Sequence, residues 1–387
     1  MPKIKPRIYL YKAVQPVFLI SKLAGLSTIS FDEKSGYVKT QLGFVWSLFV
    51  FTLYISCIVF YLLNYKVTTG EKQWILHAIG RLNTNIRIIT LVVLSLVMIK
   101  SGQKIVTIFT QIKKIDKKFE TSNINLEYSP RFRSTIKFAV FCQMIHYILY
   151  MILQWKYLPK TTSFTYIIAT TGATLNSGIV VHQFVVVLSL LKQRFQGFNQ
   201  SFSQQITKNY HRHEQKSILV RLNSYYKLHK KLCNLTMMVE KTYATANLII
   251  LLKCLVSLTT AIHFVMDTHF IHPIKEKILI DQVKYLASIS TNIFYILTLT
   301  LFCSKTAQEA NKLAALQLQF PIKSNLIGLR VNIKIKILLN WGEFQIRNFI
   351  LQSKHEKVAI TCFNIVAAIA TSSIIIIQFG TTKSNTP

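Results

Sequence analysis

The sequence predicts an all-α membrane protein of seven transmembrane helices, N-terminus cytoplasmic and C-terminus extracellular. Three observations carry this reading. Apolar residues make up 51% of the chain and charged residues only 16%, a balance typical of polytopic membrane proteins. Seven apolar runs are each long enough to cross a bilayer core as a helix. Lys and Arg also fall on alternate sides of those runs, 34 of 46 on one side and 7 on the other. That is the positive-inside pattern. It accounts for a net charge of +32 without a nucleic-acid partner, the other class of protein that such a charge suggests.

Taken in order, the first 42 residues carry seven Lys/Arg, and Pro2, Pro6 and Pro16 interrupt any signal-peptide core. Val17–Leu26 is amphipathic and is expected to lie at the membrane face as a short helix. The spans are placed at about 43–63, 79–99, 136–155, 164–191, 243–266, 283–303 and 358–379 of a single domain over residues 1–387. Span two carries Arg81 and Arg87 in its first half, and span five carries Lys253. The last run, Val358 to Phe379, holds no charged residue over 22 positions and covers roughly 33 Å as a helix.

The basic segments 1–42, 100–135, 192–242 and 304–357 are therefore cytoplasmic. An epitope tag at the C-terminus should be labelled on intact cells; labelling only after permeabilisation would refute this orientation. Asn199 and Asn234 each begin an Asn-x-Ser/Thr triplet, but both lie inside and should carry no glycan. The six cysteines lie in spans or basic inner loops, so no structural disulfide is expected.

The inner segments are long and the outer loops short, which predicts helices that extend below the membrane as an assembly domain. From Tyr225 onward, Leu228, Leu232, Leu235 and Met238 or Val239 recur at helical spacing into span five. Span six continues in the same way through Glu309 and Ala310. A G-protein-coupled receptor has the opposite N-terminal orientation, and neither its Asp-Arg-Tyr nor its Asn-Pro-x-x-Tyr motif is present at the corresponding spans. No inverted repeat or pair of broken helices suggests a transporter.

No catalytic spacing or phosphate loop appears, so the chain does not read as an enzyme and calls for no cofactor. His211, His213 and Glu214 stand close together in a basic loop, where a solvated face is the simpler reading than a metal site. The outer halves of the spans hold polar and aromatic residues: His146, Tyr150 and Gln154 on one face of span three, Thr170, Thr174 and Asn176 in span four. His263 and Asp267 end span five, and Tyr285, Thr291 and Tyr295 lie in span six. Such residues serve either as interhelical glue and an interfacial belt or as the polar groups of an outward-opening ligand pocket.

In the last span, Thr371, Ile374 or Ile375, and Gln378 share one helical face. A polar side chain at the end of an apolar helix either reaches the headgroups or faces a pore or partner.

Thr371 followed by apolar residues and Gln378-Phe379 resembles the end of the last helix of arthropod gustatory receptors, with Ser372 where that family has Tyr. Leu191 to Phe195, including Arg194, with Asn199 is similar to the run that follows the family's fourth span. Cys303, Ala307, Glu309 and Ala310 resemble the run after span six, and Gly25-Leu26 the end of an N-terminal apolar segment. The segment before Thr371 is shorter than the family's; if Cys362-Phe363-Asn364 is the family's turn, the membrane part of span seven shrinks to Ile365–Phe379, roughly 22 Å.

The resemblance implies a taste receptor of the plasma membrane of chemosensory neurons. It further implies a ligand-gated cation channel that binds a small tastant from outside, with four like or unlike subunits in the lipid around a shared pore. Span seven would then line that pore through Thr371, Ile374, Ile375 and Gln378. The alternative is a seven-helix receptor that signals through a cytosolic partner and has no pore of its own.

Overall fold

A computed structural model describes residues 6–32, 36–64, 74–122, 164–209, 215–271 and 276–318, with isolated residues between 134 and 152. Six long helices and one short hairpin make up these residues. They are α1 (Pro6–Leu23), β1 (Ile29–Asp32), β2 (Gly36–Lys39), α2 (Gln41–Asn64), α3 (Trp74–Thr121), α4 (Phe164–Asn209), α5 (Gln215–Ile271) and α6 (Glu276–Leu318).

Five helices contain stretches long and apolar enough to cross a membrane: Gln41–Leu63, Ala78–Thr121, Thr170–Gln204, Lys227–Ile262 and Tyr285–Lys312. They overlap spans one, two, four, five and six and run past several of their expected ends. Span three falls on scattered helical residues, and span seven lies outside the described residues.

Burial ranks these helices. The most apolar window of α4 is 78% buried inside the protein, whereas that of α2 is 28% buried. So α4 is the central post, and α2 presents Phe49, Leu53, Phe60 and Leu63 outward, as lipid-facing positions require. Around α4 stand α3, α5 and α6, and α5 packs closely along α3.

The helices do not stop at the bilayer. α5 alone is 57 residues long, about 85 Å at the α-helical rise, far more than a hydrocarbon core of roughly 30 Å. Leu228, Leu232, Leu235 and Val239 are all buried, so the helical stripe read from the sequence is the seam of a bundle below the membrane. α6 likewise runs unbroken past Glu309 and Ala310.

At the N-terminus the structure departs from expectation. α1 is longer than the short interfacial helix, and its Val14, Val17, Phe18 and Ser21 are buried. Among its described side chains, Leu19 and Leu23 keep a largely exposed apolar edge. The buried face is tied to α4 through Gln183 Nε2, which donates to Ser21 Oγ at 2.5 Å.

α1 ends in a Schellman cap. Leu26 N donates to Ser21 O at 2.8 Å and Gly25 N to Lys22 O at 3.0 Å, with Gly25 at φ 73°. A side chain at Gly25 would also meet Val50 Cβ at 2.7 Å. The Gly-Leu pair is thus a helix stop whose Leu26 fills the core.

The β1–β2 hairpin is an addition to the all-α reading. It pairs antiparallel from Ile29 with Lys39 to Asp32 with Gly36. Its Tyr37 ring packs 4.5 Å from Phe109 of α3 and 5.2 Å from Phe18 of α1. With four residues per strand the hairpin offers too short a periodic pattern to stand out in the sequence. Thr40 then caps α2, its Oγ1 accepting from Gly43 N at 3.1 Å.

Candidate functional site

Among the described residues, two polar clusters each join four helices. One lies between α3, α4, α5 and α6 around Lys253; the other ties the same four helices together around Arg194, nearer the end of α4.

The membrane cluster begins with antiparallel neighbours. Ser257 Oγ of α5 donates to Asn83 Oδ1 of α3 at 2.9 Å, and Arg87 Nε reaches the same oxygen at 3.4 Å. One turn along each helix, Lys253 comes opposite Arg87, because antiparallel helices advance in opposite directions from a shared contact. Lys253 is 1% exposed, and its Nζ lies 5.5 Å from the centre of the Tyr295 ring of α6. The Tyr295 hydroxyl, in turn, donates to Thr174 O of α4 at 3.4 Å. Four helices therefore converge on one polar patch in an otherwise apolar section. Asn176 of α4 is fully buried beside the Tyr54 hydroxyl, and its amide makes no well-formed hydrogen bond among the described residues.

Of the pocket residues expected from sequence, Thr174 and Tyr295 are brought together here. Thr170 and Thr291 are buried close to this level, but each hydroxyl donates to its own helix, to Ile167 O at 3.3 Å and Ala287 O at 2.7 Å. Tyr285 lies further out and stacks on Phe264 with ring centres 4.9 Å apart and planes 5° from parallel. The side chains of His146, Tyr150, Gln154 and His263 lie outside the described residues. So do His211, His213 and Glu214, and the pore positions Thr371, Ile374, Ile375 and Gln378 with Phe379. No cluster of metal-binding side chains occurs among the described residues.

The lower cluster gathers the motif residues. Arg194 is fully buried and forms a two-pronged ion pair with Asp116 of α3, Nε to Oδ1 at 2.8 Å and Nη2 to Oδ2 at 2.7 Å. Its Nη1 donates to Leu190 O at 2.7 Å. Five residues on, Asn199 Nδ2 donates to Glu309 O of α6 at 2.8 Å, and Gln196 Nε2 to Glu309 Oε1 at 3.2 Å. His229 of α5 donates from Nε2 to Ala310 O at 3.3 Å and meets the Phe195 ring edge-on at 5.9 Å. Phe198, Phe202 and Tyr225 complete an aromatic stack. Arg194, Phe195, Glu309 and Ala310 are thus parts of a single joint between helices rather than a ligand site.

A family model described as "7tm Chemosensory receptor" matches residues 14–383. The structure of the insect olfactory receptor OR5 from Machilis hrabei matches with a TM-score of 0.56 and 14% sequence identity, covering 78% of this chain and 81% of that one. The same receptor in complex with eugenol matches with a TM-score of 0.59 and 15% identity, over 94% of this chain and 99% of that one. Among curated proteins no match was found.

Proposed function

Because this chain belongs to the 7tm chemosensory receptor family, a multi-pass membrane family, we propose that it is a gustatory receptor that opens its own cation pore on binding a small tastant from the extracellular side. In this reading it acts at the plasma membrane of chemosensory neurons, as four like or unlike subunits around a shared pore formed by span seven. The observation that carries the ligand-binding part is the polar patch of Asn83, Thr174, Lys253, Ser257 and Tyr295. A buried polar group in the membrane is costly without a role, and a few such groups in an apolar wall are what orient a small ligand. The structural relative that matches over 94% of this chain holds a small aromatic molecule, eugenol, which supports the ligand class. The gustatory reading rests on the motif residues, above all Thr371 and Gln378-Phe379.

Transmission follows from continuity. α5 and α6 each run without a break from the patch to the joint at His229, Glu309 and Ala310. A ligand that shifts either helix near Lys253 or Tyr295 therefore moves the cytosolic bundle as well.

The test is ligand-evoked current from excised patches bathed without nucleotide. A current that follows a tastant within the patch supports the channel. Silent patches from cells that display the receptor at their surface would reject it in favour of a receptor coupled to a cytosolic partner.

A further inference from the structure

Lys253 carries a charge with no carboxylate beside it among the described residues. It is 1% exposed and lies within the apolar stretch Lys227–Ile262 of α5. Among the described residues its Nζ lies over the Tyr295 ring, and its neighbour Cys254 is within electrostatic range. Arg87, opposite it on α3, lies within electrostatic range and adds a second positive charge. The sequence excludes a carboxylate partner from any span, because none of the 14 Asp and Glu falls within 43–63, 79–99, 136–155, 164–191, 243–266, 283–303 or 358–379. On its own helix the nearest acids are Glu240 and Asp267, each roughly 20 Å away along the axis. A ring face attracts a cation, but one such contact is worth only about 0.5–2 kcal/mol, well short of the several kcal/mol needed to desolvate an ammonium.

We propose that Lys253, with Arg87 facing it, binds a small anion: the carboxylate of an acidic ligand, or an inorganic ion such as chloride. The flank toward Ser257 and Tyr295 is polar, with both hydroxyls already donating, to Asn83 and Thr174, so the anion's charge is met by Lys253 and Arg87. Ser257 sits one turn above Lys253, and Tyr295 closes the side toward α6. The stacked Phe264 and Tyr285 rings lie further toward the outside, where the apolar body of an acidic ligand would rest. This deepens the ligand-binding reading above and rests on it, because it assigns that ligand an acidic group.

The experiment measures thermal unfolding of the full-length receptor in lipid nanodiscs, a readout independent of current. The buffer anion is gluconate, whose hydroxyls make it too hydrophilic for an apolar-walled site. The probes are phenylacetate, its neutral counterpart phenylacetamide, and chloride. Phenylacetate should raise the unfolding midpoint of the parent and of Lys253→Arg, and phenylacetamide should not. In Lys253→Gln the apparent Kd for phenylacetate should weaken at least about tenfold, the loss of one charge-assisted hydrogen bond.

Stabilisation by chloride alone, lost in Lys253→Gln, supports the anion site and assigns it to an inorganic ion. Without added anion, Lys253→Gln should melt no lower than the parent, since it removes an unbalanced buried charge. The proposal is overturned if neither anion shifts the parent, or if Lys253→Gln melts well below it whatever the anion. In that case Lys253 serves packing alone. Silent patches together with an anion-dependent melt would count against the channel and leave the anion site standing.

Discussion

Replacing Asp116 by Asn should lower the stability of the folded receptor by about 3–5 kcal/mol, the range for breaking a buried ion pair from one side. Asparagine keeps the shape and one acceptor oxygen but removes the charge that balances Arg194. The guanidinium is fully buried with both prongs on this carboxylate, so it has no route to water. Arg194→Lys should also fail, because an ammonium cannot make both prongs while still reaching Leu190 O. The double variant Asp116→Leu with Arg194→Met should recover most of the loss, since an apolar pair of similar volume needs no charge balance. Glu309→Gln is the comparison, with an expected loss of about 1 kcal/mol. Its side chain is reached by Gln196 and by the half-exposed Lys312, while the buried bond from Asn199 goes to its main chain. Unfolding midpoints and surface expression of the four variants measure this. A midpoint in Asp116→Asn equal to the parent's would show that the pair does not hold α3 to α4.

That pair also marks the limit of what the sequence discloses. Arg194 stands out in the sequence because it follows an apolar span inside a recognisable run. Asp116 does not, because it lies among Lys113, Lys114, Lys117 and Lys118 and reads as one solvated charge in a basic stretch. Its spacing from Ile112, Ile115 and Phe119, all buried, was the available signal: an acid on the apolar face of a helix needs a buried cation. The five spans that fall on described helices were legible because a hydrophobic run is a one-dimensional property. The stripe from Leu228 to Val239 was legible for the same reason.

The membrane cluster was legible only in part. Thr174 and Tyr295 belong to it, but their meeting depends on the angle between α4 and α6, which no spacing within one helix encodes. Lys253 and Arg87 were visible as charges inside spans, a feature that marks function by default. Only the antiparallel register set by Asn83 and Ser257 shows that they face each other. The buried side of α1 was hidden in a different way. Its apolar face suits a membrane surface and a protein core equally well, and Gln183 bonding Ser21 decides for the core.

In the proposed pore, Ile375→Ala should give current without any ligand, and Gln378→Glu should change divalent permeation or block. Both follow from the face shared by Thr371, Ile374 or Ile375, and Gln378 in a run that has no charged residue. Four isoleucine side chains converging on an axis make a constriction narrow and apolar enough to exclude water, and excluding water excludes ions. Alanine removes three carbons from each, so the ring wets and conducts. The four Gln378 amides would stand a turn further out and replace part of an ion's hydration shell. Glutamate there adds four negative charges at the outer mouth, attracting divalent cations and holding them longer. The competing arrangement has this face packed on a neighbouring helix, in which case Ile375→Ala costs about 2–5 kcal/mol of stability and opens nothing. The two are separated by recording basal current at matched surface expression, with calcium varied in the bath. If both variants reach the surface and conduct like the parent, span seven does not line the pore. If Ile375→Ala leaks and Gln378→Glu alters calcium block, the face from Thr371 to Gln378 is the ion path.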